Sequence, residues 1–249
     1  MTKEERKQTI LHEASIHNRV LLNDLAIQLK VSIDTIRRDI IELDKEDKII
    51  RTHGGAQTKS YIPYAYNSNT VYARKNKVLI AKKAIELVTQ NSISLISGGT
   101  TNFELARAIP NDVQATFFTP SLPIAMQLLE HKNLEVIFLG GRLSNESKIA
   151  LGGNVLNELS EISFDNCFLG TSYLDVKKGL TELDWEVVQL KKAMVRASNK
   201  IISLSIFEKL DTVQRYKVCD IDAIDILVTE LDATDSRLKK FRRSGLELR

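Results

Sequence analysis

The stretch that decides the fold of the first part of the chain runs from residue 31 to residue 56. Residues 31–40 read VSIDTIRRDI, and residues 48–56 read KIIRTHGGA. In a helix, where successive residues are rotated by about 100°, the apolar residues of the first segment fall on one side. These residues are Ile33, Ile36, Ile40 and Leu43. Ser32 stands directly before them and is a preferred N-cap type. The pattern predicts an amphipathic helix beginning after Ser32.

Two short helices are predicted before this one. Their apolar residues are Ile10, Leu11 and Ala14 in the first, and Leu25, Ala26 and Leu29, following Asn23, in the second. Only residues 30–32 separate the second helix from the third. Such a tight connection is typical of a helix-turn-helix, in which the later helix enters the major groove of DNA.

Two consecutive arginines lie on the third predicted helix. Arg38 points almost directly away from the apolar side and suits a base edge, because a guanidinium can bond guanine bidentately. Arg37 lies on the flank and suits a phosphate or an intramolecular ion pair. Arginine pairs are also common on solvated helix faces, so the spacing alone leaves both interpretations open.

A short strand and a hairpin turn are predicted after this helix. Residues 48–53 alternate in polarity as a strand does, and Gly54-Gly55 is a place where a hairpin can turn. The pattern predicts a wing that lays its basic residues near the DNA backbone or a minor groove. The residues predicted to contact DNA are Ser32, Asp34, Thr35, Arg37, Arg38, Lys48, Arg51, His53 and Gly54.

The same segments carry a resemblance to a known family. TIRRD at residues 35–39 and RTHGGA at residues 51–56 resemble the winged-helix signature of DeoR-family transcriptional regulators. The resemblance implies binding to double-stranded operator DNA. Because winged-helix regulators bind repeated half-sites, we also expect a homo-oligomer.

The chain changes character after residue 77. Apolar runs such as residues 93–96 and 134–139 alternate with helical stretches, and each run is followed by glycine. This predicts βα units with a mainly parallel sheet, an α/β Rossmann-like domain. We therefore expect a winged-helix domain at 1–57, a linker at 58–76 and a second domain at 77–249. Tyrosines in the linker could stack on bases, although pinning a linker onto a domain is their commoner use.

Glycine-bearing turns end several apolar runs of this second domain. At the carboxyl ends of parallel strands, a Gly-Gly-Thr-Thr loop that opens a helix offers backbone N–H groups and hydroxyls to an anion. Residues 97–101 have this pattern, and residues 119–121 supply a second lip. Glycines also serve simply as turns, but together these favour a small anionic ligand.

Residues 77–230 resemble the DeoR-family sensor domain, which is similar in fold to ribose-phosphate isomerases and CoA transferases. The resemblance implies a phosphorylated sugar or related small anionic effector that alters operator affinity. The implied effector-binding residues are Ser97, Gly98, Gly99, Thr100, Thr101, Thr119, Ser121, Gly140, Gly141, Gly152, Gly170 and Lys191.

Three departures from the family pattern concern the effector. Ser97 stands where the family usually has an acidic residue, Pro120 replaces the asparagine of Thr-Asn-Ser, and the late Asp-x-Ser-Lys stretch is degraded within residues 204–209. Acidic and amide side chains commonly bind sugar hydroxyls. The departures therefore predict altered polyol recognition, or a sensor that has lost small-molecule control.

Composition excludes several other classes of protein. The 249 residues are 43% hydrophobic and 27% charged, which is typical of a globular protein, and the net charge is only +3. Non-specific attraction to DNA phosphates should therefore be modest. No apolar run reaches a membrane span of about 18 residues, and the start is charged, so we expect a cytoplasmic protein. Cys167 and Cys219 share no metal or disulfide spacing, which favours two buried thiols.

Enzyme motifs are lacking in the sequence. Neither GxGxxG, GxxxxGK[ST] nor GxSxG occurs. His12-Glu13 and His17 resemble HExxH, but a five-residue step turns the two rings about 140° apart on a helix. We expect no metal, no cofactor and no enzyme activity. The main hypothesis is a regulator, most simply a repressor, of a carbohydrate-utilisation operon, although the residues do not distinguish repressor from activator.

The alternative is a sugar-phosphate isomerase-like enzyme with an accessory DNA-binding module. It would need a carboxylate or lysine as general base beside the loops. The candidates are Asp165, Glu182, Asp184 and Lys191, and no arrangement among them is compelling.

Overall fold

The computed structural model describes residues 1–59 and 71–249, and the chain divides into two units, Met1–Tyr72 and Ala73–Arg249. The division falls within the predicted linker, residues 58–76. Thr58 still ends a strand, and Arg74 already begins a helix. The linker tyrosines Tyr61, Tyr64 and Tyr66 lie outside the described residues. Tyr72 packs edge-to-face on His12, with 6.1 Å between the ring centroids.

The first unit is a winged helix-turn-helix. Its elements are α1 Lys3–His17, β1 Arg19–Leu21, α2 Leu22–Leu29, α3 Ile33–Lys45, β2 Ile49–Thr52 and β3 Gly55–Thr58. The strands form an antiparallel sheet in the order β1-β3-β2. At the start of α3, the Ser32 side chain accepts a hydrogen bond from the Thr35 amide, which confirms Ser32 as the N-cap. β1 was not predicted, because three residues are too short for an alternating pattern to be recognised.

The core of the first unit follows the helical periodicity with two differences. Ile10, Ile36, Ile40 and Leu43 are buried, each with at most 1% of its surface exposed. Ile33 was predicted on the apolar side of α3 but is 41% exposed, since it is the first residue of the helix and none of the described elements covers it there. Asp39 is the converse case, a carboxylate on the buried side with 1% exposure.

The second unit is a parallel α/β fold. In its first half lie α4 Arg74–Ala84, β4 Ile93–Ile96, α5 Thr100–Ala108, β5 Ala115–Thr119, α6 Leu122–Leu128, β6 Leu134–Phe138, β7 Arg142–Leu143, β8 Ala150–Leu151 and α7 Gly153–Ser160. In its second half lie β9 Phe164–Gly170, β10 Tyr173–Asp175, β11 Gly179–Glu182, α8 Trp185–Arg196, β12 Ser198–Leu204, β13 Tyr216–Cys219, β14 Ile226–Val228, α9 Lys239–Arg242 and β15 Glu247–Leu248.

The order of the main sheet is β6-β5-β4-β9-β12-β14-β15, and every pairing between neighbours is parallel. From β4, the chain adds β5 and then β6 on one side. It then returns to the other side of β4, where it adds β9, β12, β14 and β15 in turn. The topological switch point therefore lies between β4 and β9. In open α/β sheets, ligands bind outside the carboxyl ends of the strands at this point.

The central strands are apolar on both faces because helices cover both sides of a parallel sheet. Leu95 and Ile96 of β4 and their partners Cys167 and Phe168 of β9 are fully buried. Burial raises the pKa of the Cys167 thiol to about 12. Cys219 is only partly buried, and its pKa is raised to about 11 by the same cause. Within the described ranges, no helix combines the length and the apolar character that crossing a membrane requires.

Candidate functional site

The outward side of α3 carries an arginine without an intramolecular partner. Among residues 1–59 and 71–249, the exposed Arg38 side chain makes neither a hydrogen bond nor an ion pair. Arg37, in contrast, forms an ion pair with Asp34 one turn earlier. Arg38 is therefore available for a base edge without the loss of an internal contact, whereas Arg37 reaches DNA only by giving up Asp34.

The start of α3 is closed by a pair of hydroxyls. The Ser32 Oγ accepts from the Thr35 amide at 3.1 Å and lies 2.8 Å from the Thr35 Oγ1. Both predicted contact residues are thus engaged in capping, which satisfies part of the first turn and fixes where the helix begins.

The buried side of α3 is held to α1 by ion pairs. The Arg6 guanidinium donates two hydrogen bonds to the Asp39 carboxylate, from Nε to Oδ2 at 2.5 Å and from Nη2 to Oδ1 at 3.1 Å. Hydrogen bonding to Asp39 raises the pKa of Arg6. Lys7 lies between Glu42 and Glu46, at 2.8 and 2.9 Å. This framework was not predicted. Its signal was available, because Asp39 follows Ile36 at helical spacing on the apolar side.

The wing lies beside this helix. Its turn is at His53-Gly54, between the paired residues Thr52 and Gly55. The backbone N–H of Arg51 donates to the Asp44 carboxylate at 2.9 Å and ties the wing to the last turns of α3. The exposed side chains of Arg51 and His53 have no partner within the described part of the chain.

A cleft of about 560 Å³ separates the wing from α2 and α3. Arg37, Arg51, His53 and Gly54 line it. Lys48 stands at the base of the wing in an ion pair with Glu46 at 2.8 Å. The nine positions predicted to meet DNA thus lie on two neighbouring elements, the first half of α3 and the wing hairpin with its base.

In the second unit, the switch point brings together two loops that are far apart in sequence. The backbone N–H of Gly170, at the end of β9, donates to the Ser97 Oγ after β4 at 2.7 Å. A Cβ on Gly170 would lie 2.6 Å from the Gly98 carbonyl oxygen, so only glycine permits this approach. Four of the predicted residues, 97, 98, 99 and 170, are therefore neighbours.

The interior of this loop is held by a side-chain amide, Asn102, that was not among the predicted residues. Asn102 is fully buried, and its Nδ2 donates to the Ser97 carbonyl at 2.9 Å, to the Ser97 Oγ at 3.0 Å and to the Phe168 carbonyl at 3.0 Å. Ser97 is thus committed to internal contacts. In place of the acid usual in the family, this chain has a hydroxyl that joins β4 to β9.

The first turn of α5 is chemically suited to an anion. Gly99 precedes it with φ +113°, a region that glycine adopts readily, and no side chain in the described part of the chain caps the helix. Thr100 and Thr101 are 6% and 7% exposed, and neither hydroxyl is hydrogen-bonded within the described ranges. Backbone N–H groups of a first helical turn have no intrahelical acceptor, so donors accumulate here.

The remaining predicted loops lie along the same edge of the sheet. Thr119 ends β5, and its Oγ1 accepts from the Ser121 amide at 3.1 Å. Ser121 adjoins the first loop, since its Oγ is 3.6 Å from the place of a Cβ on Gly98. Gly140, Gly141 and Gly152 form a further cluster at the start of α7, where Gly141 packs against the Leu151 carbonyl and Gly152 is the N-cap.

Three buried lysines lie behind these loops. The Lys191 Nζ donates to the Gly170 carbonyl at 2.6 Å and pairs with Glu182. The Lys209 Nζ donates to the Thr171 carbonyl at 3.2 Å, and burial lowers its pKa to about 8. Lys77 on α4 has its pKa lowered to about 7 by burial and by the charge of Lys209. Only Lys191 was predicted. Lys77 could have been found from its helical spacing to the buried Ile80 and Ala81.

A winged helix-turn-helix unit followed by a parallel α/β unit with donors at its switch point is the architecture of a DNA-binding regulator with a separate sensing domain. Residues 6–61 match the family described as "DeoR-like helix-turn-helix domain", and residues 73–231 match "DeoR C terminal sensor domain". The chain belongs to the DeoR family of transcriptional regulators, as the sequence motifs predicted. It is accordingly a regulator and not an enzyme, and the isomerase-like alternative is set aside.

Relatives along nearly the whole chain carry regulator names. The HTH-type transcriptional repressor GlcR of Bacillus subtilis is 29% identical, and the aligned region spans 100% of this chain and 96% of GlcR. The HTH-type transcriptional regulator GlpR of Haloferax volcanii is 32% identical, and the aligned region spans 95% of this chain and 94% of GlpR. The glycerol-3-phosphate regulon repressor of Escherichia coli is 26% identical, with 92% of each covered.

Solved structures with partial similarity include ribose 5-phosphate isomerase A from Methanocaldococcus jannaschii, with a TM-score of 0.40, 17% identity, and 54% and 53% of the two chains covered. The structure of eIF2B delta from Chaetomium thermophilum has a TM-score of 0.44 and 17% identity, and the match covers 70% of this chain and 61% of that chain.

Proposed function

We propose that this protein is a repressor of an operon for carbohydrate use, that it binds double-stranded operator DNA as a homo-oligomer, and that a phosphorylated metabolite bound at the switch point alters its operator affinity. The relatives support this assignment, since the names of two include "repressor" and one of these names glycerol 3-phosphate.

The observation that carries the DNA-binding role is the contrast between Arg38 and Arg37. Arg38 is exposed and without an internal partner among the described residues, while Arg37 is paired with Asp34. An unpaired guanidinium on the outward side of a recognition helix suits bidentate contact with guanine. The wing adds Arg51 and His53, which suit contacts with phosphates or a minor groove.

The effector role rests on the geometry of the switch point. First-turn amides of α5, which have no intrahelical acceptor, and two buried threonines without partners in the described ranges supply donors at the carboxyl edge of the sheet. Lys191, which is paired with Glu182, lies behind Gly170. A phosphate is the anion that such a combination suits best. Because Ser97 is committed to Asn102 and Gly170, recognition of sugar hydroxyls falls to other groups.

An electrophoretic mobility-shift assay tests the DNA-binding role. The full chain is titrated against a duplex from the region upstream of its own operon and against a shuffled duplex of equal composition, at the same moderate salt. We expect the upstream duplex to bind at least about 10³-fold more tightly, the lower range for specific over non-specific sites. Equal affinities would overturn the proposal. A reporter fused to the same region then decides the sign, and rising expression on deletion of the gene marks a repressor.

Thermal denaturation tests the effector role. Glycerol 3-phosphate and glucose 6-phosphate are compared with glycerol and glucose. A binder present at 100 times its Kd stabilises the native state by about 2.7 kcal/mol. We expect stabilisation by a phosphorylated member of the panel and none by its unphosphorylated partner. Equal shifts within each pair would contradict a phosphate site.

A further inference from the structure

A large apolar side chain is exposed at the start of the recognition helix. Ile33 is the first residue of α3 and is 41% exposed, whereas Ile36, one turn later, is fully buried. Isoleucine is among the residues most often buried in globular proteins. The helix that we propose to enter the major groove therefore carries an uncovered apolar surface at its leading end.

The polar side chains around Ile33 are bonded to one another. The Ser32 Oγ lies 2.8 Å from the Thr35 Oγ1 and accepts from the Thr35 amide at 3.1 Å. The Asp34 carboxylate is paired with Arg37. A polar contact from one of these side chains to a base would require an internal contact to be broken or shared. The Ile33 side chain meets DNA without any such loss.

The position of Ile33 places its side chain at the tip of the helix. In an α-helix every Cα–Cβ bond tilts towards the N-terminus, so the side chain of the first residue extends over the end of the helix. In helix-turn-helix proteins the N-terminal residues of the recognition helix contact base edges. Ile33 and Arg38 are five residues apart and differ by about 140° in direction. They therefore suit different bases, one at the tip and one at the outward side.

Thymine is the base that suits an apolar side chain in the major groove. All four bases present hydrogen-bond donors or acceptors there, and thymine adds its C5 methyl group. Contact between this methyl group and Ile33 buries apolar surface on both partners and leaves the hydrogen bonds of the first turn of α3 in place. Arg38 suits guanine, so the tip of α3 adds a second kind of base to those that the helix recognises.

We propose that Ile33 is a specificity-determining residue that recognises a thymine through its C5 methyl group. Each operator half-site then holds this thymine in addition to the base that Arg38 contacts. The inference deepens the proposed function and rests on it, because it requires α3 to enter the major groove of operator DNA.

Exchange of thymine for deoxyuridine tests this contact, because it removes the C5 methyl group and leaves the hydrogen-bonding groups of the base unchanged. Footprinting with the full chain first defines the protected region of the upstream duplex. Each thymine in that region is then exchanged in turn, and the affinities are compared by competition gel shifts. For the wild type we expect one position in each half-site at which the exchange lowers affinity about fourfold, the factor that burial of one methyl group supplies.

Three variants assign the contact to a residue. Ile33→Ala removes the apolar side chain at an exposed position and introduces the best helix-forming residue. Thr35→Ser removes only the methyl group of Thr35 and keeps the hydroxyl that contacts Ser32. Ile27→Ala is the matched control, since Ile27 lies on α2 and is 78% exposed. Melting curves establish that each variant is folded.

Ile33→Ala should bind the thymine duplex and its deoxyuridine counterpart equally well at the position in question, and the other two variants should keep the wild-type difference. A difference that persists in Ile33→Ala, that disappears in Thr35→Ser or that is absent from the wild type would overturn the role of Ile33 while leaving operator binding intact. Equal affinities of the wild type for the upstream and shuffled duplexes would overturn operator binding and the role of Ile33 together.

Discussion

The carboxylate of Asp39 receives two hydrogen bonds from the guanidinium of Arg6, and Asp39 is the immediate neighbour of Arg38 in the chain. Asp39 is buried, and Arg38 is exposed. Successive side chains of a helix differ by about 100° in direction. The ion pair between Arg6 and Asp39 therefore fixes the rotation of α3 about its own axis. This rotation in turn fixes the direction in which Arg38 points.

Replacement of Arg6 by methionine should destabilise the first unit strongly. The change leaves the Asp39 carboxylate, whose side chain is 2% exposed, without its cation. Breaking a buried ion pair in this way costs about 3–5 kcal/mol. Hydrogen exchange of the α3 amides in the full chain measures the loss.

Two companion variants make this result specific. Lys3→Met removes an exposed ion pair with Glu42 and should cost less than about 1 kcal/mol. Adding Asp39→Leu to Arg6→Met should restore much of the loss, because no buried charge is then left unpaired. Similar losses in Arg6→Met and Lys3→Met would contradict the role of the Arg6–Asp39 pair.

Arg38→Ala should reduce the preference for the upstream duplex by about 1–3 kcal/mol and relax the base requirement at one position of each half-site. The physical reason is the loss of a bidentate contact. Competition gel shifts with single-base variants of the duplex measure it. Arg37→Ala is the matched control and should weaken binding to specific and shuffled duplexes alike, as a phosphate contact does. Equal losses on both duplexes for Arg38→Ala would disprove base reading.

Acid should loosen α1 from α3. Hydrogen bonds from Lys3 and Lys7 lower the pKa of Glu42 from 4.5 to about 2. Because the folded pKa lies below the unfolded one, the stabilisation is present above about pH 4.5 and is lost as the pH falls towards about 2. The urea midpoint of the helical circular dichroism signal should fall over this interval. Glu42→Gln should flatten the dependence, and a wild-type curve that matches the variant would refute the assignment.

Gly170→Ala should disrupt the anion site. The added Cβ would lie 2.6 Å from the Gly98 carbonyl oxygen and 3.2 Å from the Ser97 Oγ, so the strand ends must separate. Glycerol 3-phosphate and sulfate should lose at least about tenfold in affinity in calorimetric titrations, an effect of about 1.4 kcal/mol. Gly153→Ala is the control, since no atom of residues 1–59 and 71–249 lies within 4 Å of its added Cβ. If both variants bind anions as the wild type does, the loops at residues 97–99 and 170 do not form the site.

Local patterns sufficed for the elements of the DNA-binding unit. The cap at Ser32, the buried positions Ile36, Ile40 and Leu43, and the turn at Gly54 are all confirmed by the structure. Each depends on neighbours within one or two turns of chain, where helical spacing and hydrogen bonding are encoded directly. The same holds for the alternation of apolar runs and helices that predicted the parallel sheet.

The contacts between distant residues were decided only by the tertiary structure. Arg6 and Asp39 are 33 residues apart, and Ser97 and Gly170 are 73 apart. The exposure of Ile33 also follows from how the elements pack. Periodicity states which side of an element is buried, but it does not state which element covers that side. The order of the strands brings β9 beside β4, and that order places Gly170 against Gly98 and assembles the site.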